Sequence, residues 1–176
     1  MKEIDPALVT RHLYPRLTIL VSTINKDGKV NAAPYSWIAP VSFVPPMLYV
    51  GIQARETFTV KNIRETKEFV VNVVTKDWAQ EAVNCEAKTE DKVEKSGVKF
   101  RESKIVKAPT AKQAKIVFEC KLNQVLKVEK ADHFLIIGEI VHAQLDENLK
   151  MDEIAMHIGG KKFISPGTEF LLERKK

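Results

Sequence analysis

Residues 33–50 read APYSWIAPVSFVPPMLYV, a stretch too apolar for a surface loop and too rich in proline and serine for an ordinary strand. Pro34, Pro40, Pro45 and Pro46 carry no backbone N–H, fix their own φ and bias the residues before them to extended forms. Backbone of this kind runs extended while leaving amides that strands do not pair, and a buried, unpaired amide is costly. The stretch therefore predicts a segment laid against something else: the polar edge of a ligand, or, more plainly, an edge strand or a subunit contact.

The chain on either side reads as mostly strand. LTILVSTIN (17–25) is rich in β-branched residues, and with VNAAPYSWIA after KDGK it predicts a hairpin turning at Asp27-Gly28. Its apolar residues occupy both alternating faces, Ile19 and Val21 on one and Leu20 and Ile24 on the other. Strands covered on both sides favour a closed or partly closed barrel over an open sheet. MLYVGIQ (47–53) and EFVVNVVT (68–75) are the next strands. Between them ARETFTVKNIRETK reads as a helix with Thr59 as N-cap and Phe58 and Ile63 as an apolar staple. KDWAQEAVNCEA predicts a second helix, capped by Asp77, that buries Trp78, Ala82 and Cys85 on one face.

Residues 87–114 are charged and turn-rich, which predicts a surface excursion with one short helix. KIVFECKLNQVLKVE and HFLIIGEIVHAQL then form a long antiparallel pair, with Gly138 marking a bend. The tail IAMHIGGKKFISPG carries a Gly-Gly turn and covers one end of the barrel.

At 176 residues and 44% hydrophobic, the chain builds one core, so a single domain over 1–176 is expected. No apolar run reaches the roughly 18 residues of a membrane span, and MKEIDPALVTRHLYPR lacks a secretory apolar region. No membrane partner and a cytoplasmic location are expected. The 28 basic and 23 acidic residues are interspersed and aromatics are few, which argues against a nucleic-acid platform. The formal charge of +5 still helps attract phosphorylated ligands. Cys85 and Cys120, without a C-x-x-C, read as two buried thiols, and the Cys and His residues show no metal-ligand spacing.

Taken together, RLTILVSTINKDGKVNAAPYSWIAPVSFVPPMLYVGI, then Arg55, Thr57 and Thr59, then EFVVNVV, FECKL, DHFLIIGEIV and HIGGKKF resemble the flavin reductase-like, FMN-binding split-barrel proteins, over residues 14 to 165. The resemblance implies a mainly β fold with flanking helices, a Greek-key split β-barrel. It further implies a homodimer with one FMN per subunit near the dimer interface, reduced by NADH or NADPH. By the same resemblance Asn31, Ala32, Ser36, Trp37, Ile38, Ser42 and Phe43 follow the flavin's polar edge. Arg55, Thr57 and Thr59, extended by Asn62, hold its phosphate, while His133 stands near the ring and His157 near the opening.

Elementary chemistry agrees at two points. An Arg and two Thr just before a helix favour an anion, since amides and dipole point at it and Arg binds in two-pronged fashion. Hydride transfer between nicotinamide and flavin needs stacking and backbone donors for the developing charge, so no catalytic triad is required. Three functions stay open at this level. The first is an NAD(P)H:flavin oxidoreductase passing electrons to an unidentified acceptor. The second is an FMN electron-transfer protein that exchanges electrons with a protein partner without using NAD(P)H. The third is a split barrel that binds a ligand without catalysis.

Overall fold

Asn25 turns the first hairpin: its side-chain oxygen accepts from the amides of Asp27 and Lys29 at 3.0 and 2.8 Å, and Gly28 takes the positive φ of 83° that the turn demands. The computed structural model, which describes residues 1–87, 89 and 91–168, places that hairpin at one edge of a curled sheet. In chain order the strands are β1 (Arg16–Leu17), β2 (Ile19–Ile24), β3 (Val30–Tyr35), β4 (Ile38–Phe43), β5 (Pro46–Gln53) and β6 (Glu68–Val73). There follow β7 (Phe100–Arg101), β8 (Thr110–Ala111), β9 (Ile116–Lys127), β10 (His133–Leu145), β11 (Met156–Gly159) and β12 (Lys162–Ile164). The helices are α1 (Phe58–Thr66), α2 (Ala79–Asn84) and α3 (Lys92–Ser96).

The main sheet runs β3-β2-β6-β9-β10-β5-β4, antiparallel throughout. Its two outer strands are consecutive in the chain, joined only by Ser36 and Trp37. A link this short, at most ~3.6 Å per residue, requires the sheet to curl until its edges meet. The result is a barrel split along one seam; at the link between its edges the Gly51 amide donates to the Trp37 carbonyl at 2.7 Å, extending the β4–β5 ladder.

The quoted stretch is thus edge strand for much of its length. Pro34 and Pro40 lie in β3 and β4, outer strands where proline is tolerated. The expectation of one continuous strand from Val30 to Ala39 is corrected: the chain breaks at Ser36-Trp37 and crosses to the opposite edge. Residues 38–43 then pair with β5 in a hairpin of their own, so more of this backbone is laddered than the sequence suggested.

Two-sided burial of β2 holds except at Ile24, which is only partly buried. Ile19 and Val21 join Val50, Ile52, Phe69 and Ile136 inside the barrel, which Val60 and Ile63 of α1 plug. Leu20 packs on the other side with Trp78, Ala82 and Cys85 of the α2 region. Cys85 and Cys120 are both free and buried, as expected. Gly138 sits at a register shift in the β9–β10 pair, and a Cβ there would lie 2.4 Å from the Phe69 ring, so the barrel bends where that ring fills the space.

Both predicted helix caps are corrected. Helix α1 begins at Phe58 and is capped by Thr57, whose hydroxyl accepts from the Val60 amide at 3.2 Å, whereas Thr59 is engaged elsewhere. Phe58 is 54% exposed while Ile63 is buried, so no staple forms. Asp77 accepts from the Thr75 hydroxyl instead of capping α2. The excursion contains its one short helix, α3, but much of the rest is pinned to the barrel. The Glu119 carboxylate, wholly buried on β9, accepts from the amides of Lys104, Ile105 and Val106 at 2.8, 2.7 and 3.2 Å. Among the described residues no helix is long and apolar enough to cross a membrane.

Candidate functional site

Beside the seam a cavity of about 770 Å³ opens between β3, the end of β5, α1 and the α2–α3 segment. That is the size of a small-molecule site. One wall is the N-terminal turn of α1. Arg55 and Thr57 lie just before it, Lys61 on it, and the amides of Phe58 and Thr59 have no acceptor within the helix. This end is suited to an anion.

A polar chain behind that turn holds α1 against the β2–β3 hairpin. Asn31 Nδ2 donates to Thr59 Oγ1 at 3.0 Å and to Thr23 Oγ1 at 3.3 Å, and Asn62 Nδ2 donates to the same Thr23 oxygen at 3.1 Å. Thr59 lies inside α1, past its cap, and its hydroxyl accepts from β3 instead. Tyr35 adjoins this group. Burial raises its phenol above the ordinary range, against the smaller opposing influence of Thr59 and Arg55, which keeps it a neutral donor.

The other wall is aromatic. Trp37 stacks on His133 with centroids 4.3 Å apart and planes 15° from parallel. Gly51 permits this, since a Cβ there would stand 3.0 Å from the Trp37 Cβ. His133 Nδ1 lies 2.6 Å from Asp132 Oδ1, and the Asp132 carbonyl accepts from the Ala54 amide at 2.8 Å, tying the β9–β10 turn to the end of β5. The hydrogen bond to His133 holds the Asp132 carboxyl below its usual range. With Nδ1 engaged, Nε2 is left for a cavity ligand. Cys85 also borders the space, but burial raises its thiol, so it is a packing group and not a nucleophile.

Of the residues expected at a site, Asn31, Ser36, Trp37, Arg55, Thr57, Thr59 and His133 line this cavity. Ala32 is buried beneath α2, and Ile38 packs on the barrel interior. Ser42 and Phe43 stand near the tip of the β4–β5 hairpin, outside the lining, with Phe43 92% exposed. Asn62 faces a smaller neighbouring cavity. His157 is outside the lining, its Nδ1 3.4 Å from Ser36 Oγ, a lining residue, and its Nε2 3.1 Å from the Gly160 carbonyl. Sequence reasoning missed Tyr35, Gly51, Lys61 and Lys92 as lining residues. A glycine inside the strand MLYVGIQ signals a close approach and marks Gly51. Lys92, within a charged excursion, carries no such signal.

These features define a mainly β split barrel with a nucleotide-sized cavity at its seam. The particular family follows from comparison: residues 10–164 match the flavin reductase like domain, and the chain belongs to that family. It is 36% identical to an uncharacterized protein of Aquifex aeolicus, over 89% of this chain and 87% of that one. Among solved structures it is similar to 2-nitrobenzoate 2-nitroreductase NbaA of Pseudomonas fluorescens, with 26% identity, a TM-score of 0.86 and coverage of 99% and 96% of the two chains. Nitrilotriacetate monooxygenase component B of Bacillus cereus is similar at 25% identity and a TM-score of 0.86, covering 98% of each chain.

Proposed function

We propose that this chain is an FMN-binding oxidoreductase that accepts hydride from NADH or NADPH and passes the electrons to an acceptor, acting as a homodimer. One observation carries the reading: a helix N-terminus flanked by Arg55 and Lys61 and a flat aromatic wall meet in a single cavity. A flavin nucleotide needs both, a charged anchor for its phosphate and an apolar surface for its ring. Relatives named as a nitroreductase and as a monooxygenase component agree with reduction chemistry at such a site.

Bound FMN would supply the redox chemistry; the protein's part is binding, orientation and proton control. Arg55, Thr57 and the open amides of α1 anchor the phosphate. Tyr35, neutral through burial, donates a hydrogen bond near the same end. The Trp37–His133 stack restricts water at the ring, and His133, oriented by Asp132, offers Nε2 to the donor or to the flavin. Backbone donors along the seam meet charge developing on the ring.

Anaerobic stopped-flow mixing of the FMN-loaded protein with NADH and with NADPH is the test. The expected result is loss of oxidised-flavin absorbance in a single hydride-transfer phase with one donor preferred. Tight FMN binding without reduction by either nucleotide would instead favour electron transfer from a protein partner.

A further inference from the structure

Thr23, on β2, is wholly buried and lines neither cavity. Its hydroxyl is nevertheless fully engaged. Oγ1 accepts from Asn31 Nδ2 at 3.3 Å and from Asn62 Nδ2 at 3.1 Å, and it donates to the Asn31 carbonyl at 3.4 Å. A hydroxyl has two lone pairs and one hydrogen, so nothing of this one is left over. The partners come from separate elements: Asn31 stands opposite Thr23 in the β2–β3 ladder, and Asn62 belongs to α1.

This hub fixes the direction in which the hydrogen bonds run. The Asn31 amide has only two hydrogens, and they go to Thr23 and to Thr59, the latter at 3.0 Å. Thr59 Oγ1 is thereby held as an acceptor on the Asn31 side, which leaves its own hydrogen for the cavity it lines. Tyr35, on the same cavity, is subject to that hydroxyl as a hydrogen-bonding group. An anion accepts hydrogen bonds, so a hydroxyl presented as a donor suits it. Thr23, Asn31, Thr59 and Asn62 are all buried, and buried polar groups are costly unless they satisfy one another, which favours this single arrangement.

We propose that Thr23 is a positioning residue for nucleotide binding: acting through Asn31 and Asn62, it sets α1 against the hairpin and turns the Thr59 hydroxyl toward the phosphate, without touching the ligand itself. This deepens the flavin reading and rests on it. A Thr23 that served only the core would support the phosphate and the flavin ring alike. A positioning Thr23 matters to the phosphate-bearing ligand alone.

The test uses the full chain with Thr23→Val, which removes the hydroxyl at nearly constant shape, and with Thr23→Ser, which keeps it. FMN and riboflavin are titrated into each protein and followed by flavin fluorescence, and urea denaturation of the flavin-free chains records stability alongside. Thr23→Val is expected to lower the affinity for FMN about tenfold relative to riboflavin, with Thr23→Ser close to the parent. Equal weakening of the two flavins, no change for either, or a Ser variant as impaired as Val overturns the proposal while leaving the flavin reading intact. Where Thr23→Val does not fold, Thr23→Ala takes its place. Failure of both to fold also overturns the proposal, because the hydroxyl is then a requirement of the core as a whole. A parent chain that binds no flavin overturns both readings.

Discussion

Thr57 and Thr59 lie two positions apart and have different roles. The Thr57 hydroxyl caps α1, while the Thr59 hydroxyl accepts from Asn31, a residue on the far side of the hairpin in sequence. Local pattern could place both near a helix start, but Thr57 has the extended backbone of a cap while Thr59 already lies in the helix. Arg55 is the sharper case, because it separates an anion anchor from a solvated loop residue. Arg55→Ala should remove a charge-assisted contact worth about 1.5–3 kcal/mol, a roughly ten- to 150-fold loss of FMN affinity. Riboflavin affinity should hold, since riboflavin has no phosphate. Isothermal titration of both flavins into both proteins measures this; equal weakening would mean a damaged fold and no phosphate contact at Arg55.

At the scale of an element, the 97–114 segment shows how a charged stretch is misread. Its lysines suggest a solvated excursion, yet Val98, Val106, Ala108 and Ala111 are buried and Glu119 gathers three of its amides. Burial alone raises the Glu119 carboxyl, but the amides of Lys104, Ile105 and Val106, with His142 nearby, outweigh it and hold the group below the usual carboxylate range. A folded value below the unfolded value of roughly 4.3 means that this contribution is fully present above that pH and is lost as pH falls through the depressed folded value. Glu119→Gln keeps the shape but turns an amide donor toward other donors, and should cost about 1.5–3 kcal/mol at pH 7. Urea denaturation should show the gap between the two proteins narrowing below pH 4. A Gln variant as stable as the parent at pH 7 would show that the amide cradle does not hold the segment.

Across the whole molecule, the β4–β5 hairpin tip projects Phe43 and Val44, 92% and 91% exposed, with Val41 half-exposed behind them. Apolar groups this exposed on a short hairpin fit a subunit contact better than free solvent. Sedimentation at micromolar concentration should give a dimer, and Phe43→Glu with Val44→Lys should give a folded monomer of weakened flavin affinity. A parent chain that sediments as a monomer and still binds FMN tightly would remove the dimer from the proposed site.

Strand identity, the first hairpin, the bend at Gly138 and the two buried thiols were legible because each depends on residues close in sequence: alternation, turn chemistry and a small residue inside a long strand. So was a helix starting just after Arg55, since its onset follows from local pattern. The split of residues 30–43 between two opposite sheet edges was not, since nothing at Ser36-Trp37 forbids a continuous strand and only closure of the barrel requires the crossing. Nor were the Trp37–His133 stack, the Asn31–Thr59 bond or the place of Lys92 on the cavity wall. Each joins residues from separate elements, and their proximity follows from how the whole sheet curls around α1, which no local pattern records.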